Sequence, residues 1–399
     1  MAWNHKSRVV AMAIAIQGVA GVFTAPTSAD IVPVAPPTNN EEATTAEDPT
    51  ATGSVHQAAR IYLGKTATVS ANAPLRGPGG AAPFAAGAWP LGRVLQATGF
   101  AEIIANAAET AAVAGGTTTS ITLAGAASAS DDFYVGMPIQ HADIGVGAVK
   151  GTSLIEDYNG TSKLAELAET LGSAPAAGNY TIPPNVTYQL GTLTSAPPLL
   201  SVSIWRDKKR YDYKDCRVSS LSFDMPVSNE QNQTFPSIEF SLKGLVEDVA
   251  DDVAPALLAS QLGTIAPFRN GKYTLDKVAL GHQSTRFSIS ADVAGASNAA
   301  ALDGQDAYEI MSTTRTLDLD LNQMAVADFD IETRVNGQTT MSTMSLWGQG
   351  AGNRFGFLAP EVALDPLNNP GDRNGFVNLT GNAVFVGVDK SATLTIWWD

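Results

Sequence analysis

Ser201-Val202-Ser203-Ile204-Trp205 runs into Arg206-Asp207-Lys208-Lys209-Arg210-Tyr211-Asp212-Tyr213-Lys214-Asp215-Cys216-Arg217 and then into Val218-Ser219-Ser220-Leu221-Ser222-Phe223-Asp224-Met225. Val202 and Ile204 alternate with serines, a charged cluster interrupts, and a second alternating run returns from Val218 to Met225. Side chains of a strand point to opposite faces in turn, so this period of two predicts a β-hairpin with one face in a core. The basic cluster sits where the hairpin turns. Tyrosines interleaved with basic residues are one way to hold single-stranded nucleic acid. Asp207, Asp212 and Asp215 dilute that charge, so a solvated turn or an intersubunit salt-bridge element built on Arg206, Lys208, Lys209 and Arg210 is the better reading.

Working outward, Ser237 to Leu242 repeats the alternation, and Val246 to Leu262 reads as short helical pieces limited by Pro255. Asn270-Gly271 and Asn336-Gly337 are dipeptides suited to two-residue hairpin turns, and Val384 to Val388 with Thr393 to Trp398 suggests a third hairpin around Asp389-Lys390-Ser391. Mostly antiparallel sheet is expected. N-terminal to the opening stretch, residues 117–188 hold short apolar runs punctuated by Gly and Asn, read as a small inserted β-module between residues 1–116 and 189–399, with Leu164 to Leu171 open between helix and strand. A short helix is predicted near Leu91 to Ala97, stopped by Gly99. Residues 32–58 are rich in Pro, Thr, Ala and acids, which suggests a long exposed loop or arm. The start has two readings: Lys6 and Arg8 before the apolar run Val9 to Ile16, with Thr27-Ser28-Ala29 beyond, suit a cleaved signal peptide, while the same run suits a buried strand.

Composition narrows the function. The 399 residues suggest two or three domains with ample core material, and 24 Lys plus Arg against 39 Asp plus Glu give a net charge of −15. Such a balance argues against a surface that wraps nucleic acid by neutralising phosphates. The lone Cys216 has no partner for an internal disulfide, and four histidines leave little for a His-rich metal site. Neither a zinc-protease helix, nor a G-x-S-x-G elbow, nor a phosphate loop is present. Asp318-Leu319-Asp320-Leu321-Asn322 imitates the start of a calcium loop, but Gln323 stands where Gly is required and Phe329 where a bidentate Glu is required. A strand with Leu317, Leu319 and Leu321 inward and Asp318, Asp320 and Asn322 in water fits it better. No catalytic residue, cofactor or metal is expected.

Four segments in order resemble the tail tube protein (major tail protein) family of long, non-contractile (siphovirus-type) phage tails. They are Pro74-Leu75-Arg76-Gly77 through Trp89-Pro90-Leu91-Gly92-Arg93 to Gly99-Phe100; Ser201 to Asp207 with Cys216 to Asp224; Pro236-Ser237-Ile238-Glu239-Phe240-Ser241-Leu242-Lys243-Gly244-Leu245; and Ala307-Tyr308-Glu309-Ile310-Met311 with Thr314-Arg315. The resemblance covers about two thirds of the chain. It implies a tail-tube-type β-sandwich or barrel with a flanking short helix. It further implies a structural virion protein, assembled in the host cytoplasm, that closes into rings, hexameric as a rule, and stacks them into a conduit for DNA. Its partners would be its own copies and the tape measure, tail terminator and distal tail proteins, with DNA passing without tight binding and no membrane insertion. Residues 117–188, with Phe133 to Met137 and Ile155 to Thr161, resemble a module inserted in varied phage structural proteins and would face outward. Arg8 to Ile16 would be the first strand of the subunit, and the acidic arm Val32 to Val55 would reach an adjacent ring. A conduit must not retain its cargo, so some of Asp318, Asp320, Asp328, Asp330 and Glu332 are expected to line the bore. Two other classes compete: an exported β-rich surface or adhesin protein with a cleaved signal, and a carbohydrate-active β-enzyme, for which no pair of acids is singled out by spacing.

Overall fold

The alternating runs become strands wherever an antiparallel partner lies within reach. The computed structural model describes residues 10–47, 60–77, 83–87, 89–190, 196–230, 233–258, 261, 265–300, 304–322, 326, 328–348, 353–366, 371–373, 376–386 and 395–398. Strands β1 (Val10–Gln17), β2 (Ile31–Val32), β3 (Thr38–Glu47) and β4 (Arg60–Pro74) precede the helix α1 (Pro90–Ala97) and β5 (Phe100–Ala105). Seven short strands follow: β6 (Glu109–Ala112), β7 (Gly115–Thr117), β8 (Ser120–Thr122), β9 (Pro138–Gln140), β10 (Thr152–Asn159), β11 (Leu164–Leu167) and β12 (Asn179–Ile182). The chain continues through β13 (Asn185–Leu190), β14 (Leu199–Arg206), β15 (Lys209–Pro226), β16 (Ser237–Asp251), β17 (Lys272–Leu275), β18 (Val278–Ala279), β19 (His282–Ser297) and β20 (Gln305–Asn322). The helix α2 (Ile331–Asn336) leads to β21 (Thr340–Gly348), β22 (Arg354–Leu364), β23 (Gly371–Arg373), β24 (Phe376–Phe385) and β25 (Thr395–Trp398).

The fold is mainly β, with curled antiparallel sheets, as the alternation required. The hairpin of β14 and β15 is its hub. β15 pairs with β16 along most of its length, with β14 over its first half and with β19 over its second. From β14 the sheet continues to β1 and β2; from β16 it continues to β4 and β3. From β19 it passes through β20 and β24 to β22, which carries β25, β13 and β5 on one branch and β21, β17 and β18 on the other. One apolar core joins these branches, with Met12 and Ile14 from β1, Phe240 from β16, Phe287 from β19 and Phe357 from β22 fully buried. β1 is therefore a core strand, with all eight residues in register against β14 and Met12 and Ala13 paired to β2 on its other side. The first residues of the expected strand, Arg8 and Val9, and the signal-like Lys6 lie outside the described residues.

The helix stands where its residues predicted it. Pro90 occupies the first turn, where its missing N–H costs nothing, and Gly99 ends the helix at φ 105°. Leu91, Val94 and Leu95 face the core. Gly92 is required by close approach: a Cβ there would fall 2.0 Å from Tyr188 Oη, which donates to Glu102 at 2.7 Å. Gly244 is required likewise, because a Cβ would fall 2.4 Å from Cys216 Sγ.

Several local expectations give way to competing chemistry. Asn336-Gly337 ends α2 instead of turning a hairpin, because Asp330 caps the helix by accepting from the Thr333 N–H and hydroxyl. Asn270-Gly271 precedes β17, and the tight turn lies at Asp276-Lys277, both at positive φ, between β17 and β18. The segment from Val246 continues β16 to Asp251 because Lys209 to Lys214 of β15 offers it a ladder; no helix forms there. Among the described residues β24 and β25 each pair with β22, at opposite ends of that strand, and no pairing joins them to each other. Asp389-Lys390-Ser391 lies outside the described residues. The arm is no irregular loop: its described part is a two-stranded hairpin, β3 against β4. Residues 48–59 at its turn lie outside the described residues.

The seven short strands form a second sheet in the order β6-β12-β9-β10-β11-β8-β7, with its own core around Ile121, Val135, Ile139, Tyr158 and Tyr180. It begins at Glu109, earlier than residue 117, and Leu164 to Leu167 resolves as strand. Its seat on the main sheet is partly apolar, through Leu154, Ala168, Met344 and Leu346, and partly ionic. Lys272 donates to Glu169 at 2.8 Å, and Lys277 lies 3.5 Å from Glu156 and 3.6 Å from Glu166.

Candidate assembly surfaces

The β3–β4 hairpin is longer than the sheet that supports it. β16 pairs with β4 only as far as Leu245 opposite Thr66, so Ala43 to Glu47 and Arg60 to Lys65 continue as a two-stranded overhang. A register shift between Thr44 and Thr45 places an extra residue in β4 there, which breaks the inward-outward alternation. Ile61, Tyr62 and Leu63 are consequently all in water, at 49, 58 and 51% exposure. Three consecutive apolar residues are a weak strand signal, and that was the readable sign of an exposed face here.

The base of the overhang is latched to the hub. Arg206 donates to the Pro37 carbonyl at 2.8 Å and to Asn39 Oδ1 at 2.7 Å; Asn39 Nδ2 donates to Tyr213 Oη at 2.7 Å. The Tyr213 hydroxyl donates to Glu41 Oε1 at 2.9 Å, and Glu41 also pairs with Lys65. Burial holds the Tyr213 phenol far above its ordinary pKa, so it stays a donor at any working pH.

The expected basic intersubunit hairpin divides into two pairs. Arg206 is engaged by the arm of its own chain, and Arg210 by Asp212 at 2.9 Å and Asp252 at 2.8 Å. Lys208 and Lys209 stand exposed at the turn. The five acidic residues are likewise separated by environment. Asp318 is exposed opposite Arg286 on β19, whereas Asp320, expected in water, is 8% exposed beside His282. Asp328 and Glu332 are exposed and Asp330 caps α2. The leucines between them, Leu317, Leu319 and Leu321, are buried as the alternation predicts.

At the other end of β4 a groove of about 260 Å³ opens between Pro74, Arg76 and Gly77, the start of α1 at Trp89, Pro90 and Leu91, and Val32 and Pro33. Leu258 and Gln261 close one side. Its floor is fixed by the ion pair of Arg93 with Asp30, whose carboxyl, buried but hydrogen-bonded by Thr27 and Arg93, is held below the usual carboxylate range. Among the described residues no three His, Cys, Asp or Glu side chains come together as metal ligands would, and no helix is long and apolar enough to cross a membrane. Cys216 is buried and its thiol is pushed far up by desolvation, and His282 is enclosed between the rings of Phe268 and Tyr273. No protein-family model matches the chain, and no curated protein is found to be similar to it.

Proposed function

We propose that this chain is a structural virion protein whose copies build the tube of a long, non-contractile phage tail, the conduit through which DNA leaves the particle. The observation that carries the reading is the β3–β4 overhang. A chain with buried apolar surface to spare still places Ile61, Tyr62 and Leu63 in water on a hairpin held rigid by Arg206 and Tyr213. Contiguous exposed apolar surface on a stiff projection marks an interaction site. The ordered resemblance of four segments, the net charge of −15 and the mainly β architecture support the same reading. In this reading the acidic residues Asp318, Asp328 and Glu332 belong to the bore and spare DNA the salt-dependent contacts that would retain it. The module Glu109–Ile182 decorates the outside, and the tape measure, terminator and distal tail proteins meet the ends of the stack.

The exported-surface reading requires cleavage near Ala29, which would remove β1, its eight paired residues against β14 and the fully buried Met12 and Ile14 from the core. That loss counts against it. Negative-stain microscopy of the purified protein at high concentration is the test: hollow filaments are expected, and dispersed globules under every assembly condition would overturn the proposal. N-terminal sequencing of particle-borne protein adds a check, since a mature chain starting at Asp30 would favour the exported alternative.

A further inference from the structure

We infer that the second sheet is a hinged body with a proton-controlled latch: rising pH frees its β10–β11 end from the β17–β18 turn while its root at β5 and β13 holds. The latch is a property of one chain and stands apart from the tube reading. At the root the chain enters through Asn106 to Ala108 and leaves through Pro183 and Pro184. Ile103 of β5 packs on the module's own core, and Gln189 of β13 donates to the Val135 carbonyl at 2.8 Å. The far end is held differently, by the small apolar seat at Leu154 and Ala168 and by charged side chains.

A bulge places the key residue. Ile155 pairs with Leu167 and Asp157 with Glu166, so Glu156 is an extra residue in β10. Strict alternation would put Glu156 and Tyr158 on one face; the extra residue lets Ile155 and Tyr158 both enter the module's core while Glu156 turns to the main sheet. There it meets Lys277 of the β17–β18 turn, Glu166 of β11 and the Ser342 hydroxyl of β21. Two carboxyls share one ammonium. Lys277 Nζ lies 3.5 Å from Glu156 Oε2 and 3.6 Å from Glu166 Oε2, and the buried Glu156 Oε2 accepts no hydrogen bond. Neighbouring charges are already taken, Lys272 by Glu169 at 2.8 Å and Asp276 by Arg334 at 2.7 Å. With Glu156 protonated the cluster balances one cation against one anion. Ionised, it holds an uncompensated buried charge, which opening to water relieves. Burial disfavours the ionised carboxyl more than Lys277 favours it, so its pKa is pushed up to about 7, whereas a glutamate freed into water titrates near about 4.3. Closure is therefore at full strength below about 4.3, weakens about tenfold per pH unit above that, and levels off beyond about 7.

One amide reports the latch directly: the Thr170 N–H donates to the Lys277 carbonyl across the seat, at 3.0 Å. The test is hydrogen exchange at Thr170 in the full-length protein, corrected for the intrinsic pH dependence of amides. Exchange is expected to speed up about a hundredfold or more between about pH 4.5 and about pH 7 and then to level off. The amides of β8 and β11, paired inside the module, should not follow it. Glu156→Gln is expected to remove the pH dependence. Lys277→Gln should move the levelling point to higher pH and Glu166→Gln to lower pH, because one removes the attracting charge and the other the repelling one. A flat profile in the native chain, or a slope that survives Glu156→Gln, would overturn the inference. Shifts of the same sign in the two flanking variants, or none, would overturn it as well. So would loss of protection in β8 and β11 over the same pH range, which is unfolding of the module and not opening of a latch.

Discussion

Glu156 shows how much one buried carboxyl can report. It faces Lys277 from the β17–β18 turn, Glu166 from β11 and the Ser342 hydroxyl from β21, and burial outweighs the lysine, so its pKa is pushed up to about 7. A carboxyl whose folded pKa exceeds its unfolded value binds its proton more tightly when folded. Its stabilising effect is complete below about 4.3 and is lost as pH rises through about 7. Glu156→Gln should therefore stabilise the protein at pH 8 by on the order of 1 to 3 kcal/mol and do little at pH 4, as read by urea unfolding at the two pH values. His282 has the opposite slope. Desolvation between Phe268 and Tyr273 lowers its pKa to about 4, so its contribution is present above about 6.5 and is lost as pH falls toward 4. Replacing it, as in His282→Leu, should flatten the acid side of the stability profile while leaving the alkaline side unchanged. Neither residue was readable in the sequence beyond its type. Burial decides both, and burial depends on partners far along the chain, such as residue 277 for residue 156.

Elements were more legible than residues. β1, α1 and the leucines of β20 follow from local alternation or from Pro and Gly punctuation, and the structure keeps them; the hub hairpin forms too, but its turn is only Asp207-Lys208, and Lys209 to Arg217, read as part of a charged turn, is the first half of β15 with Asp212, Tyr213 and Arg217 buried. The failures share a cause: a local signal compatible with two outcomes, decided by a distant partner. Asn336-Gly337 suits a hairpin and a helix end equally, and the Asp330 cap settles it. Val246 to Asp251 has no strong period of its own and becomes strand because β15 is long enough to pair with it. The acidic arm looked unstructured because β3 has few apolar residues, yet its backbone needs only the ladder to β4 and the latch at its base. Arg206→Ala should free that latch: faster amide exchange is expected in residues 38–47, with the core strands unaffected, and uniform exchange rates would contradict the latch. Gly92→Ala should lower stability by about 1 to 3 kcal/mol, because the new methyl displaces Tyr188 from Glu102, and thermal unfolding would show it.

At the scale of the whole molecule, the mainly β class was fixed by periodicity, but the surfaces that give it a purpose were not. Resemblance supplied the idea of a ring and a bore; only folding showed that β4 carries an exposed apolar tip at one end and an apolar groove at the other. A chain lacking residues 2–29 is expected to be insoluble or to unfold at markedly lower temperature, since it loses β1 and the buried Met12 and Ile14; a stable, soluble truncation would revive the exported reading. The most direct measurement is cryo-electron microscopy of the concentrated full-length protein. The account predicts a hollow tube built of stacked rings of this chain. Solid fibres, or particles of a single 41.5 kDa chain at every concentration, would contradict it.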